Sequence, residues 1–246
     1  MPQVERINPY GDDGRAKEQQ VQSMFDAIAP AYDFMNRAMT AGLDRLWLRA
    51  LVRAAASSHP AEVADLATGT GDVALALARN IPGARITGID LSEGMLDKAR
   101  AKAAGLDYAA RIAFRQGDCL ATGLPDGSVD LVTVAYGVRN FADIEAGYRE
   151  MHRILRPGGM LCVLELSSPA AAVPKALYKL YTATLIPLAG RILSHDRRAY
   201  SYLPESIAAA PQRFAMTELI NKAGFDRAAF RSLTFGACTL YTAYKL

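Results

Sequence analysis

The stretch Asp65-Leu66-Ala67-Thr68-Gly69-Thr70-Gly71-Asp72 decides the fold, because it joins a short apolar segment to a segment of helical periodicity. Residues 63–67 are predicted to form a buried strand, and residues 73–79 a helix that begins after Asp72. The two glycines let the backbone turn sharply and approach a ligand closely. A strand, a glycine turn and a helix in this order predict a parallel α/β unit with a ligand site at the strand end.

The alternation of strand and helix continues along the chain. Further strands are predicted at residues 85–89, 112–115, 129–135 and 160–166, and further helices at 93–104, capped by Ser92, and at 144–155. A helix at 213–223, ending at Gly224, precedes two closing strands at 230–233 and 239–244. Strands that alternate with helices of this length indicate a parallel sheet that is covered on both faces.

The two ends of the chain and one internal segment differ from this pattern. Residues 1–20 are predicted to be a polar tail and residues 21–246 a single domain, which starts with two helices within 21–60 separated at Pro30. Residues 170–205 contain several prolines around an apolar stretch and are predicted to form a lid. That stretch, residues 180–190, is shorter than the roughly 20 residues that a bilayer crossing requires.

Composition excludes some classes of function. The 246 residues include 28 basic and 25 acidic side chains, and the basic ones form no run, which disfavours a nucleic-acid partner. Cys119, Cys162 and Cys238 lie far apart without metal-ligand spacing, which disfavours a disulfide framework or a zinc site. The polar start of the chain lacks the apolar segment of a signal peptide, so the predicted location is the cytoplasm.

Acidic residues follow the next two predicted strands. Asp90 ends the second strand, 19 residues beyond Gly71, where a carboxylate is suited to bind both hydroxyls of a ribose. Asp118 follows the third strand and is placed to meet an adenine edge. Because the carboxyl ends of parallel strands share one edge of the sheet, these residues predict a nucleoside site.

The residues 69–74, Gly-Thr-Gly-Asp-Val-Ala, also fit a dinucleotide-binding turn, and Asp65 discriminates between the two ligands. A carboxylate at position 65 suits the ammonium group of a methionine moiety. A pyrophosphate would be repelled by carboxylates at both 65 and 72. The site is therefore predicted to bind S-adenosylmethionine.

Three further stretches of sequence give a more specific indication. They are Tyr32-Asp-Phe-Met-Asn-Arg-Ala-Met-Thr-Ala-Gly42 running to Trp47, Tyr136-Gly-Val-Arg-Asn-Phe141, and Arg153-Ile-Leu-Arg-Pro-Gly-Gly159 with Glu165-Leu-Ser167. With them the chain resembles the class I methyltransferases and, more narrowly, the ubiquinone/menaquinone biosynthesis C-methyltransferase family. The resemblance covers nearly the whole chain from about Lys17. It implies a Rossmann-like, doubly wound, seven-stranded, mostly parallel sheet with an antiparallel last strand.

The resemblance also implies cofactor contacts. They fall on Thr70, Asp90, Asp118 and Cys119, the last through its backbone. Together with the residues identified above, the predicted cofactor-binding set is Asp65, Gly69, Thr70, Gly71, Asp90, Leu91, Asp118 and Cys119. The chain departs from the family at Thr40, Asp44 and Ala135, where Ser, His and Ser are usual, and the change at Ala135 removes one expected polar contact with the cofactor.

The implied reaction methylates a ring carbon of a polyprenylated benzoquinol or naphthoquinol. Carbon is a poor nucleophile, so an adjacent hydroxyl must lose its proton, and the resulting phenolate needs stabilisation. Arg139 is predicted to provide it, because its guanidinium stays charged and offers several donors. The resemblance adds Tyr32 and Asn140 as residues that hold the ring hydroxyls or a water. No metal is predicted.

Each of these residues has a simpler interpretation. Arg139 by itself is consistent with a surface ion pair, and Tyr32 with helix packing. Glu165 is either a base or a structural hydrogen-bond acceptor. The adjacent His195 and Asp196 suggest a catalytic dyad, which is disfavoured because neighbours in sequence rarely face each other.

Other functions also remain open. Tyr241 and Lys245 match the spacing of a nicotinamide-dependent oxidoreductase, but in a strand they lie roughly 13 Å apart, too far to act together. A scaffold without activity and a methyltransferase for another lipid or small phenol are further alternatives. No Pro-Pro-Tyr motif for a flipped base follows the fourth strand. The predicted partner is a polyprenylated quinol, and peripheral contact with the inner face of the cell membrane and oligomerisation are both compatible with the sequence.

Overall fold

A computed structural model describes residues 2–169 and 197–246. Within these ranges the strands are Glu62–Leu66 (β1), Arg85–Asp90 (β2), Ile112–Gln116 (β3), Val129–Ala135 (β4), Leu155–Leu166 (β5), Asp226–Leu233 (β6) and Cys238–Tyr244 (β7). They form one sheet in the order β3-β2-β1-β4-β5-β7-β6. Strand β7 runs antiparallel to both of its neighbours, and the pairs among β1 to β5 are parallel. The predicted seven-stranded, mostly parallel sheet with an antiparallel last strand is confirmed.

The helices of the described ranges lie on both faces of this sheet. They are Lys17–Ile28 (α1), Tyr32–Met39 (α2), Asp44–Ala56 (α3), Asp72–Asn80 (α4), Glu93–Ala103 (α5), Ile144–Ile154 (α6), Arg197–Ala209 (α7) and Phe214–Lys222 (α8). Because side chains alternate along a strand, Val63 packs in one core cluster with α3 and α4, while Ala64 packs in the other with α6 and α8.

Local sequence signals explain where several helices begin. The side chain of Asp143 accepts a hydrogen bond from the Ala146 amide at 2.8 Å and caps α6. Ser92 caps α5 in the same way through the Met95 amide at 3.1 Å. The two helices therefore begin shortly after the carboxyl ends of β2 and β4.

The N-terminal region differs from its prediction. Residues 3–6 form a 3₁₀ turn in which Val4 is fully buried, and Glu5 accepts a hydrogen bond from the Ile144 amide at 2.8 Å. Helix α1 begins at Lys17, inside the stretch that was expected to be a tail. The prediction of a polar tail over residues 1–20 is therefore wrong. These residues are ordered by contacts with residues far away in the sequence, which the local pattern does not reveal.

Residues 21–60 contain more helices than expected. The break at Pro30 is present between α1 and α2, but a second break separates α2 from α3. Ala41 and Gly42 have φ values of 50° and 78° there, a left-handed conformation that ends a helix. The prediction of two helices gives way to three in this part of the chain.

Two further differences concern the second half of the chain. Strand β5 begins at Leu155 rather than at residue 160, because Gly158 and Gly159 pair with Lys245 instead of forming a turn. Most of the predicted lid, residues 170–205, lies outside the described residues, as do His195 and Asp196; α7 begins at Arg197. Among the described helices, none is both long and apolar enough to cross a membrane.

Candidate active site

Asp65 lies at the end of β1 and is almost fully buried. Its carboxylate oxygens accept hydrogen bonds from the hydroxyls of Thr133, at 2.6 Å, and Thr68, at 2.5 Å. Burial raises the pKa of Asp65 to about 6, although both hydroxyls act to lower it. The carboxylate is thus held rigidly at the wall of a cavity, where a cationic ligand would favour its charged form.

Asp90 connects the end of β2 to the glycine turn. Its carboxylate accepts hydrogen bonds from the amides of Gly69, at 2.8 Å, and Ser92, at 2.9 Å. Burial raises the pKa of Asp90, and the two amides oppose that shift. An ionised carboxylate has about four acceptor sites, so Asp90 keeps capacity to accept the hydroxyls of a ribose.

The glycine turn depends on backbone conformations that favour glycine. Gly69 and Gly71 have φ values of 55° and 83°. A Cβ atom at Gly71 would lie 2.9 Å from the Cβ of Ala99 on α5, whereas one at Gly69 would meet nothing within 4 Å. Gly71 is therefore required for packing between loop and helix, while Gly69 leaves open space on the side of the cavity.

Thr70 is engaged with the N-terminal helices. Its hydroxyl donates to Asp33 on α2 at 2.6 Å and accepts from the Lys102 ammonium at 2.8 Å. Lys102 also forms an ion pair with Asp33 at 2.6 Å. A bond from this hydroxyl to a cofactor would have to replace one of these contacts, so the predicted contact at Thr70 stays a prediction.

The remaining predicted cofactor residues lie at the ends of β2 and β3. Asp118 accepts a hydrogen bond from the Leu120 amide at 2.8 Å, and the Leu91 carbonyl accepts one from Gln116 at 2.9 Å. The Cys119 sulfur accepts one from the Ala67 amide at 3.2 Å, and burial raises the pKa of its thiol. The Cys119 side chain is thus a neutral structural group, and only its backbone is suited to contact a ligand.

Two cavities adjoin this edge of the sheet. The larger has a volume of about 630 Å³ and an apolar lining, with residues of α1, α2 and α3 on one side and strand ends on the other. The smaller, of about 60 Å³, lies beside Asp90, Leu91, Asp118 and Cys119. Both are bordered by Tyr32, Gly69 and Asn140, so they adjoin each other. Every predicted site residue except Gly71 lines at least one of them.

Arg139 lies in a 3₁₀ turn after β4 and is almost fully buried. One guanidinium nitrogen lies 2.7 Å from Glu165 Oε1 and also donates to the Tyr136 carbonyl. Burial acts to lower the pKa of Arg139, but the Glu165 carboxylate outweighs it and raises that pKa. The interpretation as a surface ion pair is wrong, because the pair is buried. Glu165 accepts these bonds as the structural counter-ion.

The described protein groups do not satisfy every donor of the Arg139 guanidinium. Its Nε atom is buried without a hydrogen-bond partner among the described residues. The residue borders the large cavity together with Tyr32 and Tyr202. An unsatisfied buried donor is unfavourable, and because solvent does not reach Nε, a ligand oxygen in the cavity would bind it only after the Arg139 side chain shifts.

Asn140 is oriented by a residue that the sequence did not indicate. Its side-chain oxygen accepts a hydrogen bond from the Tyr202 hydroxyl of α7 at 3.1 Å, and its amide nitrogen lies 3.4 Å from the Tyr136 carbonyl. Burial raises the pKa of Tyr202 to about 12, while Arg139 opposes the shift. Burial likewise raises the pKa of Tyr32, against a hydrogen bond to Asn36 and the charge of Arg139. Both tyrosines are therefore neutral donors at the wall of the large cavity.

Tyr136 is a second residue that sequence reasoning missed. Its φ value of 60° is strained for a residue with a side chain, and its carbonyl accepts bonds from both Arg139 and Asn140. The next residue must be glycine, because a Cβ atom at Gly137 would lie 2.6 Å from that of Ala67. The only sequence signal for this geometry is the Tyr-Gly pair itself.

Tyr241 and Lys245 form no catalytic pair. The Tyr241 hydroxyl accepts a hydrogen bond from the Arg213 amide at 2.7 Å, and the Lys245 ammonium binds the carbonyls of His152 and Leu155, each at 2.8 Å. Tyr241 lies in β7, as the rejection of this pair assumed. This part of the chain therefore gives no support to an oxidoreductase.

Comparison with solved structures defines the class of fold. The chain matches human N-acetylserotonin methyltransferase in complex with SAM with a TM-score of 0.64 and 19% identity, over 98% of this chain and 63% of that one. It matches the [4+2]-cyclase SpnF with a TM-score of 0.62 and 18% identity, over 93% and 96% of the two chains. Identities this low establish the fold alone, and it is that of the class I methyltransferases.

More similar relatives identify the family. A demethylmenaquinone methyltransferase of Porphyromonas gingivalis is 43% identical over the full length of both chains. One of Bacteroides fragilis is 42% identical over 98% of each, and a ubiquinone/menaquinone biosynthesis C-methyltransferase of Geobacter sulfurreducens is 42% identical over 93% of this chain and 90% of its own. The model of the ubiE/COQ5 methyltransferase family matches residues 14–245. The chain belongs to this family, which confirms the resemblance.

Proposed function

We propose that the protein transfers the methyl group of S-adenosylmethionine to a ring carbon of a polyprenylated quinol, either demethylmenaquinol or the corresponding benzoquinol. The relatives named above support a quinol substrate. One structural observation supports the chemistry most strongly. A buried, charged arginine with a free donor borders an apolar cavity next to the carboxylates of the strand ends.

The residues at the strand ends fit S-adenosylmethionine. Asp90 has free acceptor sites for the ribose hydroxyls, and Asp118 lies beside it for the adenine edge. Asp65 provides negative charge for the cationic amino-acid end, and Gly69 provides space for it. When bound, the cofactor supplies an electrophilic methyl group on its sulfonium.

Arg139 makes the ring carbon reactive. Loss of a proton from the neighbouring ring hydroxyl places negative charge on oxygen and electron density on the carbon. The guanidinium, fixed by Glu165, stabilises that phenolate at the wall of a cavity with a mostly apolar lining. Formation of the methyl–carbon bond would break the methyl–sulfonium bond and leave a neutral thioether. Loss of the proton from that ring carbon to water would give the aromatic phenolate, and return of a proton from water to its oxygen would give the quinol.

Asn140, Tyr32 and Tyr202 position the ring. Tyr202 binds the side-chain oxygen of Asn140, which directs the amide group of Asn140 as a donor. Tyr32 is a neutral hydroxyl donor at the border of both cavities. Holding the reacting atoms in a fixed geometry contributes a large share of the rate in such transfers.

The substrate also indicates where the protein acts. A polyprenylated quinol resides in the bilayer, so the enzyme takes it from the cytoplasmic face of the membrane through peripheral contact. The large apolar cavity then receives the ring and the first part of the tail.

A methyl-transfer assay with both quinols tests the proposal. We expect transfer by the wild-type protein. For Arg139→Ala we expect turnover to fall by about a hundredfold or more, with cofactor binding retained, because a few kcal/mol of phenolate stabilisation are lost. Arg156→Ala is the matched control, since Arg156 pairs with Asp130 on a half-exposed surface. Wild-type inactivity on both quinols would refute the proposed function, and unchanged turnover of Arg139→Ala would remove this residue from the mechanism.

A further inference from the structure

The outer surface of α2 and α3 combines positive charge with exposed apolar side chains. We call it the α2–α3 face and define it by Phe34, Arg37, Arg45, Leu46, Arg49 and Arg53, all of which are exposed. Arg45, Arg49 and Arg53 repeat every fourth residue and form one stripe about 12 Å long on α3. The opposite side of that helix buries Trp47, Leu51 and Ala55 in the core.

The four arginines of this face have no partners within the described parts of the chain. None of them donates a side-chain hydrogen bond or forms an ion pair there. The two acidic residues of the same stretch form their recorded contacts with other groups. Asp33 binds Thr70 and Lys102, and Asp44 accepts a hydrogen bond from Thr40 at 2.9 Å. Asp33 is thus paired with Lys102, and with the Asp44 carboxylate counted against one arginine the face keeps a net positive charge.

Large apolar side chains stand among these charges. Phe34 is 62% exposed and Leu46 is 53% exposed. Phe34 lies three residues before Arg37, on the same side of α2. Large exposed apolar side chains do not stabilise a surface that stays in water. A surface that binds the headgroup region of a bilayer combines basic side chains with apolar ones.

A turn next to α3 adds a third apolar side chain. Phe235 is 84% exposed, and Thr234 and Phe235 have φ values of 46° and 55°. The indole of Trp47 donates a hydrogen bond to the Thr234 hydroxyl at 2.8 Å, which fastens this turn to α3. The strained turn therefore keeps a phenylalanine in solvent next to α3.

The large cavity lies against the other sides of α2 and α3, and none of the six residues that define the face lines it. Phe235 itself lines that cavity, as do Met35 and Met39 of α2 and Trp47 and Leu48 of α3. The same two helices thus present apolar side chains to the cavity and arginines to the outside. Phe235 therefore links the exposed surface to the cavity, and an apolar tail that leaves a bilayer would enter beside it.

We propose that the α2–α3 face, together with Phe235, docks on the surface of an anionic lipid bilayer. This inference rests on the proposed function, because it assumes a membrane-resident substrate. Arginine charge complements anionic headgroups, and the three apolar side chains reach below them. A second copy of the chain fits less well, because a twofold contact would bring arginines against arginines.

Binding to sedimented vesicles of phosphatidylglycerol and phosphatidylcholine tests the proposal. We expect Arg45→Gln, Arg49→Gln and Arg53→Gln combined to lower the partition coefficient about a hundredfold at low salt, roughly fivefold for each charge. The matched control combines Arg79→Gln, Lys98→Gln and Arg227→Gln, which removes the same charge from exposed positions elsewhere. Equal losses of vesicle binding in the two triple variants would overturn the proposal. A wild-type protein that does not bind the vesicles would also overturn it, whether or not it self-associates or binds RNA.

A variant of Phe235 separates the apolar contribution from the electrostatic one. Asparagine tolerates the left-handed backbone at this position, so Phe235→Asn keeps the turn and removes the ring. We expect it to lower vesicle binding severalfold at high salt, where the arginines are screened. Unchanged binding at high salt would contradict insertion of this side chain.

Activity measurements separate the docking proposal from the proposed function. With a short-tailed, water-soluble quinol, the triple arginine variant should turn over at the wild-type rate. With a long-tailed quinol in anionic vesicles, its rate should fall in parallel with its binding. Equal rates of variant and wild type on vesicles would refute docking through this face. Failure of the wild type on the soluble quinol would refute the proposed function, while the vesicle partition still decides whether the face docks.

Discussion

Arg139 and Glu165 act as a unit at the scale of single residues. A buried arginine without a counter-ion is strongly unfavourable, and Glu165 supplies that counter-ion from the adjacent strand. The Glu165 carboxylate also accepts a hydrogen bond from the Arg139 backbone amide at 3.2 Å, so it fixes the loop as well as the side chain. The guanidinium is thereby fixed in a residue that borders the large cavity.

Replacement of Glu165 tests this unit. Glu165→Gln keeps the shape but leaves Arg139 as a buried charge without a partner, so we expect the free energy of unfolding to fall by about 3 kcal/mol. Denaturant unfolding measures this loss. Glu145→Gln is the control, because Glu145 pairs with Arg149 and Lys222 on the exposed surface and should change stability little. If both variants lost the same free energy of unfolding, burial of the Arg139–Glu165 pair would not explain the effect.

The protonation of Asp65 predicts a pH dependence. Burial raises its pKa to about 6, so the native state binds this proton more tightly than the unfolded chain does. The free energy of unfolding of the cofactor-free protein should therefore fall as the pH rises from about 4 to about 6. Affinity for S-adenosylmethionine should move the other way, weakening as the pH falls through about 6, because only the ionised carboxylate attracts the ammonium group.

Calorimetric titration between pH 5 and pH 8 checks this dependence. Asp65→Asn should bind the cofactor weakly at every pH and remove the Asp65 contribution to the profile. An affinity of the wild type that stays constant across this range would show that Asp65 does not face a cationic group.

At the scale of elements, the N-terminal helices are fastened to the cofactor edge. Asp26 of α1 accepts hydrogen bonds from the Ser92 hydroxyl at 2.5 Å and the Gly94 amide at 3.2 Å, where α5 begins. Asp33 of α2 binds Thr70 in the glycine turn. These contacts join residues far apart in sequence, and helical periodicity contains no information about them. For that reason the sequence predicted helices here but not their position over the site.

The junction between the glycine turn and α5 predicts a difference between two glycines. Gly71→Ala should lower the free energy of unfolding by about 2 kcal/mol, because a left-handed backbone and a 2.9 Å contact with the Ala99 Cβ act together. Gly105→Ala is matched in backbone, with a φ of 79°, but meets nothing within 4 Å and should cost about 1 kcal/mol. Thermal unfolding of both variants measures the difference, and equal losses would show that packing at Gly71 is not restrictive.

At the scale of the whole molecule, local patterns predicted the sheet well. Strand β4 begins and ends at the predicted residues, β2 and β3 are each one residue longer than predicted, and β1 is shifted by one residue. Alternation of side chains, helix caps and glycine turns depend on short stretches of sequence, which is why they could be predicted. Long-range contacts explain what was missed. Glu5 binds the Ile144 amide, and Tyr202 binds Asn140 across 62 residues, and neither pair has a sequence signature.

The strand-end carboxylates and the loop after β4 were predictable for a related reason. In a parallel sheet, residues that follow different strands meet at one edge, so Asp65, Asp90 and Arg139 could be placed together from sequence order alone. Their hydrogen-bond partners could not. The counter-ion role of Glu165 was one of two interpretations left open by the sequence, and only the buried contact with Arg139 decides between them.

A crystal structure of the complex with S-adenosylhomocysteine tests the central claim most directly. We predict that the ribose hydroxyls bind Asp90, that the adenine edge lies near Asp118, and that the sulfur faces the large cavity bordered by Arg139. A nucleoside bound away from the ends of β1, β2 and β3, or a sulfur separated from that cavity, would contradict this account.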